Sequence, residues 1–76
     1  MDNVNTIWSN CLSIIKAGMN RSSFETWFIP IVPLKVESNT LTLQVPSAFF
    51  YEYLEGNYIE LLRSALHQVL GMDAKL

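Results

Sequence analysis

The hydrophobic period of this chain changes at Pro30, and that switch narrows the folds open to it more than any other feature. Upstream, Val4, Ile7, Trp8, Cys11, Leu12 and Ile15 recur at the spacing of one face of an amphipathic helix. Asn3 or Asn5 can cap its start, and the break at Gly18-Met19-Asn20-Arg21 ends it near Gly18. Ser22-Ser23-Phe24-Glu25 matches a capping box and predicts a second, short helix. That helix must stop by Ile29, because Pro30 has no backbone donor and its ring restricts the residue before it. Downstream the apolar positions alternate, Val32, Leu34, Val36 and then Leu41, Leu43, Val45, around the polar gap Glu37-Ser38-Asn39-Thr40. Two period-two runs across a short polar gap predict a β-hairpin. Pro33 removes a ladder donor, so the first strand starts after it or lies at an edge.

Pro46 closes the second run, and Ser47 can cap a third helix over Ala48-Phe49-Phe50-Tyr51-Glu52-Tyr53-Leu54. At Gly56-Asn57 this helix bends or restarts, since Asn57-Tyr58-Ile59-Glu60 repeats the cap-plus-glutamate pattern. Ile59, Leu62, Leu66, Val69 and Leu70 then form one stripe up to Gly71, and Met72 to Leu76 reads as the start of a further strand, cut short. The sum is a small α+β domain of order α-α-β-β-α-β. With 76 residues it has room for one core and one domain.

Composition removes several kinds of function. Five Lys and Arg against seven Asp and Glu give a net charge of −2, and the bases are scattered, so no strong grip on phosphates is expected. The apolar stretches fall far short of the ~20 residues that cross a bilayer, and the N-terminus lacks a secretory signal. A cytoplasmic protein without a membrane role is expected. One Cys and one His can build neither a disulfide nor a zinc site. Cys11 sits in the apolar stripe as a small hydrophobe, His67 lies on the flank of the last helix, and Glu52 and Glu55 read as solvated acids on one helix face. The three glycines stand alone, so there is no phosphate-cradling loop. No catalysis, metal or cofactor is expected.

The aromatic residues point elsewhere. Two Trp, three Tyr and four Phe are crowded into a chain whose interior is small. On a helix, Phe49, Phe50, Tyr51 and Tyr53 spread over most of the circumference, so at least one must face solvent. The same holds for Trp27 beside Phe28, and for Ile14 opposite the first stripe. Large rings on an exposed face are what protein interfaces enrich.

Trp8-x-x-Cys11-Leu12, Phe24-x-x-Trp27-Phe28-x-Pro30, Leu41-x-Leu43-x-Val45-Pro46-x-x-Phe49 and Tyr58 stand in an order and at spacings that resemble the N-terminal domain (domain I) of the bacterial chromosomal replication initiator DnaA. The resemblance covers residues 4–71. It implies a KH-like fold and a protein-interaction module that self-associates weakly, contacts the replicative helicase and docks regulators of initiation, without catalysis or cofactor. ATP hydrolysis and origin binding would belong to domains outside this chain. Self-association would fall on Trp8 with its neighbour Ile7, and helicase contact on Phe49. An acidic position used for helicase contact in some members is Ser23 here, with Glu25 close by. Regulators would dock on Ser22, Ser23, Glu25, Thr26, Trp27, Ala48, Phe49 and Glu52.

The competing reading is a single-stranded nucleic-acid-binding KH-like module whose exposed rings stack bases. The negative charge and the absence of a Gly-x-x-Gly clamp weigh against it, so little or no nucleic-acid binding is expected.

Overall fold

The first apolar stripe forms helix α1, Val4–Ala17, in the computed structural model of the chain, which describes residues 3–71. Of the two possible caps Asn3 is the one used, its Oδ1 accepting the Thr6 N–H at 2.9 Å. Helix α2, Arg21–Trp27, starts earlier than its sequence pattern suggests. Asn20, with extended backbone, accepts the Ser23 N–H at 2.8 Å, so the expected capping box at Ser22 does not form. Asn caps as well as Ser does. With Asn20 first in line, Ser22 lies inside the helix and Glu25 pairs with Arg21 at 3.1 Å.

Strands β1, Val32–Glu37, and β2, Thr40–Gln44, pair antiparallel from Val32 opposite Gln44 to Glu37 opposite Thr40. Pro33 is inside β1, on the outer strand that proline tolerates. Pro33 faces Leu43 and Lys35 faces Thr42, which leaves Leu34 as an extra residue in a bulge. The bulge breaks the simple alternation: Val32 and Leu34 are exposed, while Val36 is half-buried. The four-residue gap tightens to a two-residue turn with Ser38 at φ 49° and Asn39 at φ 62°.

Helix α3, Ala48–Asn57, is capped as expected by Ser47, whose Oγ accepts the Phe50 N–H at 3.1 Å. The chain then restarts rather than bends. Tyr58 leaves helical geometry at φ −126°, ψ 6°, and α4 runs over Ile59–Leu70. The expected Asn57 cap is absent, because its Nδ2 donates back to the Tyr53 carbonyl at 3.0 Å and no side chain caps α4. Gly71 closes α4 at φ 102°, where its lack of a Cβ removes the strain.

The core lies where α1 meets α4 and the hairpin, around Cys11, Ile15, Phe28, Leu41 and Leu66. Ile14 does not face solvent as the wheel predicts. Because α1 is packed by α2, α4 and β1 together, its buried arc widens to take Ile14 in part. These elements make a small α+β domain. The strand expected at Met72 to Leu76, and with it the KH-like order, lies outside the described residues. No described helix is long and apolar enough to cross a membrane.

Candidate interaction surface

Phe24, Trp27 and Phe28, on α2 and its C-cap, and Phe50, Tyr53 and Tyr58, along α3 and its C-cap, meet in a continuous row of rings. Phe24 stacks on Phe28 at 6.1 Å, Phe28 meets Tyr58 edge-on at 5.5 Å, and Tyr58 lies 6.1 Å from Tyr53. Tyr53 stacks on Trp27 at 3.8 Å, and Phe50 tilts against Trp27 at 5.0 Å. The row fixes the C-terminal end of α2 against α3. Its sequence signal was present in the i, i+3 and i, i+4 spacing of Phe24, Trp27 and Phe28 and in the i, i+3 spacing of Phe50 and Tyr53.

The positions expected to bind helicase or regulators lie on the two helices that meet here through Trp27, Phe50 and Tyr53. Phe49 stands 69% exposed one residue after the start of α3, while its neighbour Phe50 turns inward. Ala48 and Glu52 are exposed beside it on the same helix. On α2, Glu25 and Thr26 face solvent, and Ser22 and Thr26 are joined by the Thr26 hydroxyl donating to the Ser22 carbonyl at 2.9 Å. Ser23 and Trp27 are half-buried. Ile29, just past the Phe28 C-cap of α2, is 58% exposed and was not singled out by its sequence pattern. Its signal was an apolar residue held in a non-helical, non-strand position by the following Pro30. Tyr51, also exposed, donates its hydroxyl to Glu55 Oε2 at 2.6 Å, and that bond and the carboxylate charge raise the phenol's pKa.

The pair expected to self-associate lies elsewhere and is sealed. Trp8 and Ile7 are each only 4% exposed, and Trp8 belongs to the core around Cys11. Its Nε1–H finds no acceptor among the described residues. Cys11 is buried against the same core, and desolvation pushes its thiol up to about 11, which suppresses the reactive thiolate. His67 and Arg63 lie on α4 beside a groove at β2, away from any cluster of metal-ligating side chains among the described residues.

The model of the DnaA N-terminal domain matches residues 5–68. The chain belongs to the DnaA N-terminal domain family. It is 51% identical over 74 residues to the chromosomal replication initiator protein DnaA of Porphyromonas gingivalis, covering 97% of this chain and 16% of that protein. The DnaA of Bacteroides fragilis is 51% identical over 70 residues, 92% of this chain and 15% of that protein. The DnaA of Chlorobaculum tepidum is 49% identical over 70 residues, 92% of this chain and 14% of its own length. This DnaA N-terminal domain therefore spans about a sixth of the relatives it matches.

Proposed function

We propose that this domain acts by binding rather than catalysis, as the interaction module through which a replication initiator recruits the replicative helicase and regulators of initiation. The observation that carries the reading is Phe49: a large ring held in water at the capped start of α3, on a base made rigid by the Trp27–Tyr53 stack. An aromatic ring turns about only two side-chain torsions, so it loses little entropy when a partner covers it, and large aromatic residues are enriched at interfaces. Ile29, Trp27, Ala48 and the α2 side chains Ser23, Glu25 and Thr26 supply the surround. Ser23 offers no negative charge to a basic partner, so Glu25 and Glu52 carry the acidic part of the contact.

Titration of the cognate replicative helicase with wild-type domain and Phe49→Ala tests this. A loss of tenfold or more in affinity is expected, and equal affinity discards Phe49 as the anchor. Weak self-association through Trp8 and Ile7 requires α1 to loosen, since both side chains are packed inside. Sedimentation across a wide concentration range with wild type and Trp8→Phe tests it, and a monomer throughout in both removes it. Trp27 and Tyr53 cover one another's faces, which leaves Phe49 and Tyr51 as the exposed rings a base could stack on; the net negative charge weighs against that second reading.

A further inference from the structure

Helix α3 carries two ring–carboxylate neighbours on its exposed side, and they differ. Tyr51 and Glu55, one turn apart, satisfy each other, the Tyr51 hydroxyl donating to Glu55 Oε2 at 2.6 Å. Phe49 and Glu52, both exposed, stand three residues apart in a similar relation, but a phenylalanine has no proton to give. The other carboxylates are matched. Glu25 pairs with Arg21 at 3.1 Å, Glu37 with Lys35 at 3.1 Å and Glu60 with Arg63 at 3.7 Å. Among the described residues Glu52 is the one carboxylate without a hydrogen-bond or ion-pair partner.

The ring beside it is uncovered as well. Phe49 is 69% exposed and takes no part in the ring contacts that join α2 to α3. Helix α3 has no Lys or Arg of its own, and Arg21 on α2 is engaged by Glu25. A bare aromatic face and an unmatched negative charge therefore lie side by side, and what suits both at once is a planar cation. A guanidinium can lie flat on the ring, held by its quadrupole, while its N–H edge donates to the carboxylate. An ammonium is a compact, more strongly hydrated charge and cannot match both shapes. An exposed ion pair alone contributes little in water, but the ring shields one face of the cation and so strengthens its attraction to Glu52.

We propose that Phe49 and Glu52 together hold an arginine side chain of the partner protein, with the ring beneath its guanidinium and the carboxylate at its edge. This contact rests on the reading of Phe49 as the helicase anchor and narrows it, since the group covering the ring is then a planar cation and not an aliphatic side chain. Glu55 lies on the same side of α3 but is engaged by Tyr51, so it adds only longer-range attraction. A second copy of this chain is a poorer occupant, because its Arg21 or Arg63 would first have to leave a glutamate.

Titration of the cognate replicative helicase with wild type, Phe49→Ala, Phe49→Leu, Glu52→Gln, Glu55→Gln and the Phe49→Leu/Glu52→Gln double variant provides the test. The altered side chains are all exposed, so each variant should melt like wild type. Phe49→Leu and Glu52→Gln are each expected to lose about fivefold or more in affinity. The double variant should lose little beyond the larger single loss, because both changes act on one guanidinium. Glu55→Gln should stay within about twofold, and the deficit of Glu52→Gln should shrink as salt is added. Phenylglyoxal, which modifies guanidinium groups, should label one helicase arginine more slowly under wild type than under Glu52→Gln at equal occupancy. Loss of binding in Phe49→Ala with Phe49→Leu and Glu52→Gln like wild type overturns the proposal and leaves Phe49 as an apolar anchor. Phe49→Ala binding like wild type removes anchor and arginine contact together. A helicase lysine shielded from acetylation, with no arginine shielded from phenylglyoxal, also overturns it. So does self-association that weakens in Glu52→Gln, which assigns the site to a second copy, or single-stranded oligonucleotide binding that strengthens in Glu52→Gln, which puts a base on Phe49.

Discussion

Trp27 and Tyr53 lie face to face, their ring centroids 3.8 Å apart and their planes within 6° of parallel, and this contact couples the end of α2 to the middle of α3. Aromatic pairs contribute about 0.5–1.5 kcal/mol beyond the area they bury. A double-mutant cycle of Trp27→Leu and Tyr53→Leu, read by urea unfolding, should return a coupling energy in that range. A coupling near zero would mean that the helices are held by area alone.

Trp8 should behave as a core residue before it behaves as a contact. Trp8→Ala opens a large hole in the core and is expected to cost about 3–5 kcal/mol, enough to unfold much of so small a domain. Trp8→Phe keeps most of the ring and removes the N–H that has no acceptor, a group whose burial costs roughly 1–3 kcal/mol, so its net penalty should be small. Thermal unfolding of both variants separates the two effects. If Trp8→Ala melts like wild type, the ring is not packed as described.

Periodicity made the helices and hairpin legible, but local signals misplaced several boundaries. Asn20 won over Ser22 as a cap because both have the same chemistry and Asn20 comes first, which no pattern of apolar residues reveals. The surplus of rings led to an exposed face, yet which rings would be sealed depended on how α2 and α3 meet. Phe50 and Tyr53 turn inward on Trp27 because α2 ends there, while Phe49 has nothing opposite it. For Trp8 the helical wheel already placed the side chain at the centre of the buried stripe; the family resemblance pointed to a surface role that its 4% exposure does not display. The groove beside β2 left no local trace, since it is made by the distance between a strand and a helix far apart in sequence.

The turn at Ser38-Asn39 stores a little strain. Both residues take positive φ, which suits Asn and penalises Ser. Ser38→Gly removes the Cβ that opposes this conformation and should stabilise the domain by about 0.5–1 kcal/mol, offset in part by the greater freedom of glycine in the unfolded chain. Ser38→Pro cannot adopt positive φ and should destabilise by more than that. Chemical denaturation of the two variants should shift the midpoint in opposite directions.

Cys11 makes the fold sensitive to alkali. Burial lifts its thiol from the usual 9.0 to about 11 by desolvating the thiolate. Below about pH 9 the thiol is protonated in folded and unfolded chains alike, and its contribution to stability is intact. Between 9 and about 11 the unfolded chain releases the proton while the folded chain keeps it. The unfolded state then binds fewer protons, and stability falls as pH rises. Above about 11 both states are ionised and the loss, about 2–3 kcal/mol at one unit per 1.36 kcal/mol, is complete. Lysines and tyrosines titrate in the same range, so the informative quantity is the difference between wild type and Cys11→Ala. Cys11→Ala should be the less stable of the two at pH 7, and the gap should narrow from pH 9 to 11. A gap that stays constant over that range would show that the thiol is solvated in the folded chain.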